Sequence, residues 1–305
     1  MFRYMTVAGA LKLFSANNLT KKLYRRLGNT AGAKRRVQAG LPRVYVERAS
    51  DIIAKVRKYD IIKPGDKLLE LGTGWLHWES TVLRLFYDVE VSLFDVWDNR
   101  QFSVFQRYFA EFATIIDREI EMKEPQRARA HSLLGALARA KSFEDVYGML
   151  GHRYIVNPKG TLDMFPDDYF SFVFSCSVLE HIHKDIVASV IRGLHRVLRP
   201  GGYSFHVIDL SDHLAHYDEK KVSLKNYLRY SDAVWRAFFQ NDVQYFNRVQ
   251  RPEWLVDFEQ AGFALLGEQR NTVDLTGVKI AGTYTGLSHD DLACLAMNVV
   301  HRKSG

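Results

Sequence analysis

A five-residue apolar run, Lys67-Leu68-Leu69-Glu70-Leu71, ends on Gly72-Thr73-Gly74 and is followed, after a helix-like stretch over 75–87, by a second apolar run over 89–95. Runs this short and apolar fit strands buried on both faces, and two of them joined through a helix form a parallel pair. The turn Lys63-Pro64-Gly65-Asp66 sets the start of the first. Further strands are expected at 154–156, 172–175, 203–208 and 263–268, with helices or loops between them. Alternation of this kind implies an α/β fold with a Rossmann-like, doubly wound parallel sheet. Between the second and third strands, residues 99–150 carry helical periodicity, clearest in Phe102, Phe105, Phe109, Phe112 and Ile116, and exceed one crossover helix. They read as an inserted helical hairpin or lid.

Of the 305 residues, 47% are hydrophobic and 25% charged, enough to bury one large core or two modest ones and to exclude general disorder. Cys176 and Cys294 are the only cysteines, so neither a disulfide framework nor a thiolate zinc site can form, and a reducing, cytoplasmic location is expected. Lys12 interrupts the apolar stretch at 5–14, no convincing cleavage site follows, and a soluble, unprocessed chain is expected. The net charge of +7 is unevenly placed. Residues 1–48 hold eleven Lys or Arg against Glu47, a net of +10, which leaves −3 on the remainder. A nucleic-acid-binding body is thereby disfavoured.

The basic part reads as a helical extension over 1–60. Leu19, Leu23 and Leu27 step by four among Lys21, Lys22, Arg25 and Arg26, a basic amphipathic helix that Gly28 and Asn29 would end. A second basic run, Lys34-Arg35-Arg36, leads to Pro42 and a helical stripe of Tyr45, Ala49, Ile52, Ile53 and Val56. Three readings of the extension stand: peripheral contact with an anionic membrane through residues 12–36, an RNA-binding arm, and a solvated helix without a partner.

The glycine turn admits a ligand close to the backbone, and the helix after it offers free amides. Asp95, at the end of the second strand, suits the two hydroxyls of a ribose. A dinucleotide fingerprint would want a third glycine where His77 stands. The later stretches Phe165-Pro166-Asp167, Val178-Leu179-Glu180-His181-Ile182 and Val197-Leu198-Arg199-Pro200-Gly201-Gly202, together with Glu70, Gly72, Gly74 and Asp95, resemble class I S-adenosylmethionine-dependent methyltransferases over roughly residues 60–210.

That resemblance implies a seven-stranded sheet with its last strand antiparallel, at 292–301 here, and S-adenosyl-L-methionine as cofactor. By position, Glu70, Gly72, Thr73 and Gly74 would line its methionine end, Asp95 the ribose, and Val96 and Trp97 the adenine. Cys176 and Ser177 would lie beneath the sulfonium, with His181 supporting the pocket. Two positions depart from the family pattern: Asn157-Pro158-Lys159-Gly160 stands where an acidic residue often meets the adenine, and Ser171 replaces a strand aspartate.

The acceptor chemistry would follow the fifth strand, in a methyltransferase domain over 61–305 with inserts at 97–150 and 209–260. Asp209 and His213 are four apart, as are Asp212 and His216, so each acid could orient one imidazole on a helical turn. His213, His216 and Asp209 are the candidate catalytic residues, with His213 first as base. Asp209, His213 and His216, or Glu180, His181 and Asp185, could hold a divalent ion, but neither is a recognised closed set and no metal is expected. Tyr230, Asn247 and Arg248, within the aromatic-rich 227–258, are candidate substrate contacts. No Asn/Asp-Pro-Pro-aromatic tetrapeptide is present, which disfavours amino-methylation of nucleic acid or protein amides. The expectation is methyl transfer to oxygen or nitrogen of a small-molecule, lipid or glycan-type acceptor. A non-catalytic scaffold and an RNA methyltransferase using the basic arm are the alternatives.

Overall fold

The computed structural model describes residues 2–304. Its strands are β1 (Lys67–Leu71), β2 (Glu90–Asp95), β3 (His152–Val156), β4 (Phe170–Cys176), β5 (Leu198–Asp209), β6 (Phe263–Thr272) and β7 (Cys294–Lys303). They form one seven-stranded sheet in the order β3-β2-β1-β4-β5-β7-β6. β1 pairs in parallel with β2 and β4, β2 pairs in parallel with β3, and β6 and β7 are antiparallel. The doubly wound sheet with an antiparallel last strand is therefore as expected. β5 begins five residues before 203, and β7 is displaced two residues beyond 292–301.

The helices are α1 (Phe2–Phe14), α2 (Asn18–Leu27), α3 (Ala33–Ala39), α4 (Arg43–Tyr59), α5 (Trp78–Phe86), α6 (Phe102–Glu119), α7 (Glu124–Leu137), α8 (Phe143–Leu150), α9 (Val187–Val197), α10 (Asp232–Phe238), α11 (Arg251–Gln260) and α12 (His289–Ala293). None is long and apolar enough to cross a membrane among the described residues. The chain divides into two compact units. The first comprises Met1–Arg26, Cys176–His195 and Phe205–Ser304, and the second Leu27–Ser175 with Arg196–Ser204.

In the second unit, α4 opens after Pro42, whose φ of −68° is preset for helix entry, and buries Val46, Ala49, Ile52, Ile53 and Val56. It stops at Asp60, in the left-handed region. The span read as a hairpin or lid instead forms three helices, α6 to α8, each with a buried apolar side. Phe109 packs 4.5 Å and Phe112 5.2 Å from the Trp78 ring of α5, so α6 is part of the core of this unit. Gly28 and Asn29 do not end the helical path either. It continues through a π-wound stretch, Gly28–Gly32, into α3. Tertiary contacts override the local stop signals there: Gln101 donates to the Asn29 side chain, and the Arg36 guanidinium lies 3.4 Å over the Trp75 ring.

In the first unit, α1 buries Tyr4, Ala8 and Leu11 in a cluster with Leu214, Tyr227, Trp235, Phe239 and Phe246. The Tyr4 hydroxyl donates to the Asp212 carboxylate at 2.8 Å, fixing the helix on the segment after β5. Replacing Phe112 with Ala should destabilise the protein by about 3–5 kcal/mol, read as a lower urea midpoint at unchanged slope.

Candidate active site

The second unit builds a ligand turn where β1 meets α5. The parallel register sets Leu71 beside Phe94, so the Gly72 amide donates to the Phe94 carbonyl at 2.7 Å. The chain then turns with φ of +68° at Gly72 and +61° at Gly74, a region only glycine enters without strain. The Gly74 amide reaches the Asp95 carboxylate at 3.1 Å, and the Val96 amide caps its other oxygen at 2.7 Å. Burial raises the Asp95 pKa, and the Val96 and Gly74 amides act against that rise. A carboxylate offers about four lone pairs against the Val96, Gly74 and Trp97 amides, so it can still accept from a ligand hydroxyl. A Cβ placed on Gly74 would meet nothing within 4 Å, so the turn is open on that side. The open backbone of the glycine turn and the strand-end carboxylate are groups that the amino-acid and ribose parts of S-adenosylmethionine require, and these residues fit it.

The other expected cofactor residues divide between the units. Val96 is half-buried and Trp97 exposed at the mouth of the same loop. Glu70 is buried and accepts from the Ser80 hydroxyl of α5, and burial together with Glu79 pushes its pKa well up. Thr73 is held by a residue to which the sequence reading assigned no role. His77, left-handed at φ 49°, sets its Nδ1 2.7 Å from the Thr73 hydroxyl and its Nε2 2.8 Å from the Tyr147 hydroxyl, ringed by Phe143, Tyr147 and Tyr154. Burial lowers its pKa to about 3, so the ring is neutral. Only the failed glycine position marked it in the sequence. In the loop after β3, the Asn157 side chain donates back to the Thr161 carbonyl at 2.9 Å, so it shapes that loop. Asp163 is exposed. Ser171 donates to the Lys67 carbonyl, the contact it makes in place of a strand aspartate.

The first unit carries Cys176 and Ser177 at the tip of β4. Ser177 is left-handed at φ 54°, and its amide donates to Val207. The unit also gathers the histidines. His213 Nε2 lies 3.4 Å from Asp209, as the four-residue spacing suggested. Burial alone would raise the Asp209 pKa, but His213 and Ser211 outweigh it and hold the value at about 2. The second expected pair does not form. His216 lies 3.0 Å from the Ser211 hydroxyl and 2.8 Å from Glu219, while Asp212 accepts from Tyr4 and from the Leu214 amide. The reason is burial: Asp212 is enclosed by α1 and caps the turn that follows it, so it faces away from His216.

The His181 ring lies 5.1 Å from that of His213, and its Nδ1 is 2.7 Å from the Tyr245 carbonyl. Glu180, His181 and His213 each offer one ligand atom, all within 4.8 Å of one another. This grouping takes Glu180 and His181 from one of the two sets weighed in the sequence and His213 from the other, and could accept a divalent ion. The candidate substrate residues are tied internally. Asn247 donates to the Leu179 and Ile182 carbonyls, and Arg248 to the Tyr230 carbonyl and to Asp232. Tyr230 packs 4.4 Å from Phe239. Beside them is a pocket of about 420 Å³, lined among others by Lys184, Trp235, Tyr245, Phe246 and Tyr284.

Lys225 is a second residue the sequence reading passed over. Fully buried, its ammonium donates to Leu210, Tyr227, Gln250 and Cys294 oxygens at 2.8–3.1 Å. Burial pulls its pKa down to about 7. These bonds anchor the chain directly after Asp209.

The chain matches the family model described as "Methyltransferase domain" over residues 41–268. No curated protein sequence matches it. Among solved structures, it resembles phosphoethanolamine N-methyltransferase 2 of Haemonchus contortus, in complex with S-adenosyl-L-methionine. The identity is 13% and the TM-score 0.47, with 83% of this chain and 52% of that one covered. It also resembles 1,6-didemethyltoxoflavin-N1-methyltransferase of Burkholderia thailandensis, at 15% identity and TM-score 0.44, covering 86% and 79%. A SAM-dependent methyltransferase of Methanosarcina mazei shows 14% identity and TM-score 0.41, covering 81% and 96%.

Calorimetric titration should show S-adenosylhomocysteine binding Asp95→Ala about tenfold or more weaker than the parent chain. Equal affinity would show that Asp95 makes no cofactor contact.

Proposed function

The chain belongs to this methyltransferase family and is an S-adenosylmethionine-dependent methyltransferase, and from that premise we propose that it methylates an oxygen or nitrogen of a small-molecule, lipid or glycan-type acceptor. The cofactor, when bound, supplies an electrophilic methyl group on a sulfonium, displaced in line. Gly72, Thr73, Gly74 and Asp95 of the second unit would hold it, with Val96 and Trp97 at the adenine and Glu70 at the amino-acid end. The protein's tasks are then to align the acceptor and to take its proton.

The observation that carries this reading is the Asp209–His213 pair beside Phe246. Asp209 stays ionised with a carboxylate oxygen 3.4 Å from Nε2, close enough to orient the ring but outside hydrogen-bonding geometry. That imidazole can accept a hydroxyl proton, and the carboxylate stabilises the cation formed. Its ring lies 4.6 Å from Phe246, which also lines the 420 Å³ pocket. Aromatic walls with Lys184, Arg236 and Arg248 suit an acceptor that combines an apolar or sugar face with polar groups. His216, engaged at both nitrogens, is left a supporting role. Tyr230, Asn247 and Arg248 act as positioning residues. The −3 balance beyond residue 48 supports a non-nucleic acceptor, and we place the enzyme in the cytoplasm.

A screen of glycan, lipid and small phenolic acceptors with methyl-labelled cofactor tests this. With an acceptor in hand, His213→Ala should lower kcat by about 10²–10⁴-fold while cofactor affinity is unchanged. Asp209→Asn should lower kcat by about tenfold or more with cofactor affinity unchanged, because the carboxylate no longer orients the His213 ring or faces the charge formed on it. Full activity of His213→Ala would remove the base from the mechanism.

A further inference from the structure

Residues 2–26 contain six Lys or Arg and no acid, and they form α1 and α2 of the first unit. The inner faces of both helices are committed to protein. α1 buries Tyr4, Ala8 and Leu11, while in α2 the Tyr24 hydroxyl accepts from Gln244 at 2.6 Å and Lys21 pairs with Asp242. The outer faces are apolar and uncovered. On α1, Phe2 is 87% and Leu13 74% exposed, with Met5 on the same side; on α2, Leu19 is 77% exposed, with Leu23 one turn on. A globular helix ordinarily puts polar groups on its outer face, so an apolar outer face needs an occupant.

The patch extends to α10. The Lys12 ammonium donates to the Arg236 and Ala237 carbonyls, bringing the end of α10, with its exposed Val234 and Phe238, to the end of α1 that carries Leu13. Exposed cations border the apolar groups: Arg3 on α1, Arg236 on α10, and Lys22, Arg25 and Arg26 on α2, where Lys22 and Arg26 flank Leu19 and Leu23. The acids near this face include Asp242, paired with Lys21, Asp218, which lies near Arg3, and Asp232 of α10, paired with Arg248. Protruding leucines and phenylalanines interleaved with long cations match the interfacial zone of a bilayer, where apolar tips enter the acyl boundary and cations reach anionic headgroups.

We propose that α1, α2 and the exposed end of α10 form a docking face for an anionic bilayer surface. Trp235 and Arg236 of α10 also line the pocket, so docking would bring the acceptor site against the membrane; this last step rests on the functional reading above, whereas the docking does not.

The test is flotation of the full chain with vesicles of phosphatidylcholine alone or mixed with phosphatidylglycerol. Binding is expected only to the mixed vesicles, should fall as salt is raised, and should weaken about tenfold or more in a Leu19→Asn, Leu23→Asn double variant. Calorimetric cofactor binding by the same variant should match the parent, which shows that the variant is folded. It also separates the two ideas: vesicle binding without cofactor binding would defeat the functional reading and leave the docking face standing. Failure to float with anionic vesicles, or equal flotation of the double variant, would overturn the proposal. So would binding of single-stranded polynucleotide, indifferent to the leucines, in place of vesicles.

Discussion

The close approach of the first turn to the end of β2 is the constraint on which the ligand side of the second unit depends. A 2.7 Å bond from the Gly72 amide to Phe94 and a 3.1 Å bond from the Gly74 amide to Asp95 can form only if the backbone goes left-handed at both glycines. A side chain at either would cost about 1–2 kcal/mol in that conformation. Once the turn is closed, α5 starts four residues beyond Gly74, and Asp95 is held at the strand end. His77 pays into the same geometry: a left-handed non-glycine residue is kept there by two hydrogen bonds and three surrounding rings.

The first unit solves a different problem, since its chemistry lies on irregular chain after β5. Irregular backbone needs anchors that a helix or sheet would supply by itself. Lys225 provides one, because a buried ammonium with four oxygen acceptors binds together three stretches distant in sequence, at Leu210, Gln250 and Cys294. Asn247 provides another by taking up the Leu179 and Ile182 carbonyls on either side of Glu180 and His181. With both ends held, His213 meets Asp209 and Phe246 in one arrangement. Tyr4 adds a further restraint through Asp212, so the first helix of the chain helps to shape the segment that carries the proposed base.

Much of the architecture was legible because strand and glycine-turn signals are local. The strands at 67–71 and 89–95 needed only their own apolar residues, and the order of elements implied the sheet. Errors arose where local signals met distant partners. Gly28 and Asn29 read as a stop, yet contacts from Gln101 and Arg36 carry the chain on in helical form. The periodic phenylalanines of α6 read as part of an inserted helical hairpin or lid, but Trp78 gives them a core to fill. Spacing alone paired Asp212 with His216, since a four-residue offset describes a helix and carries no information about a tyrosine 208 positions away.

The amino-acid order by itself determined the alternation of strands and helices, the ligand turn with Asp95, and the concentration of cations ahead of residue 48. Each of these depends on neighbours within a few residues, and backbone sterics and hydrophobic periodicity act over that range. Only the tertiary structure decided which carboxylate each histidine meets, that Lys225 is buried, and that the leucines of α2 face outward. Those outcomes depend on which distant surfaces meet, and on the cost of leaving a polar or charged group buried without a partner, which the chain can assess only after it has folded.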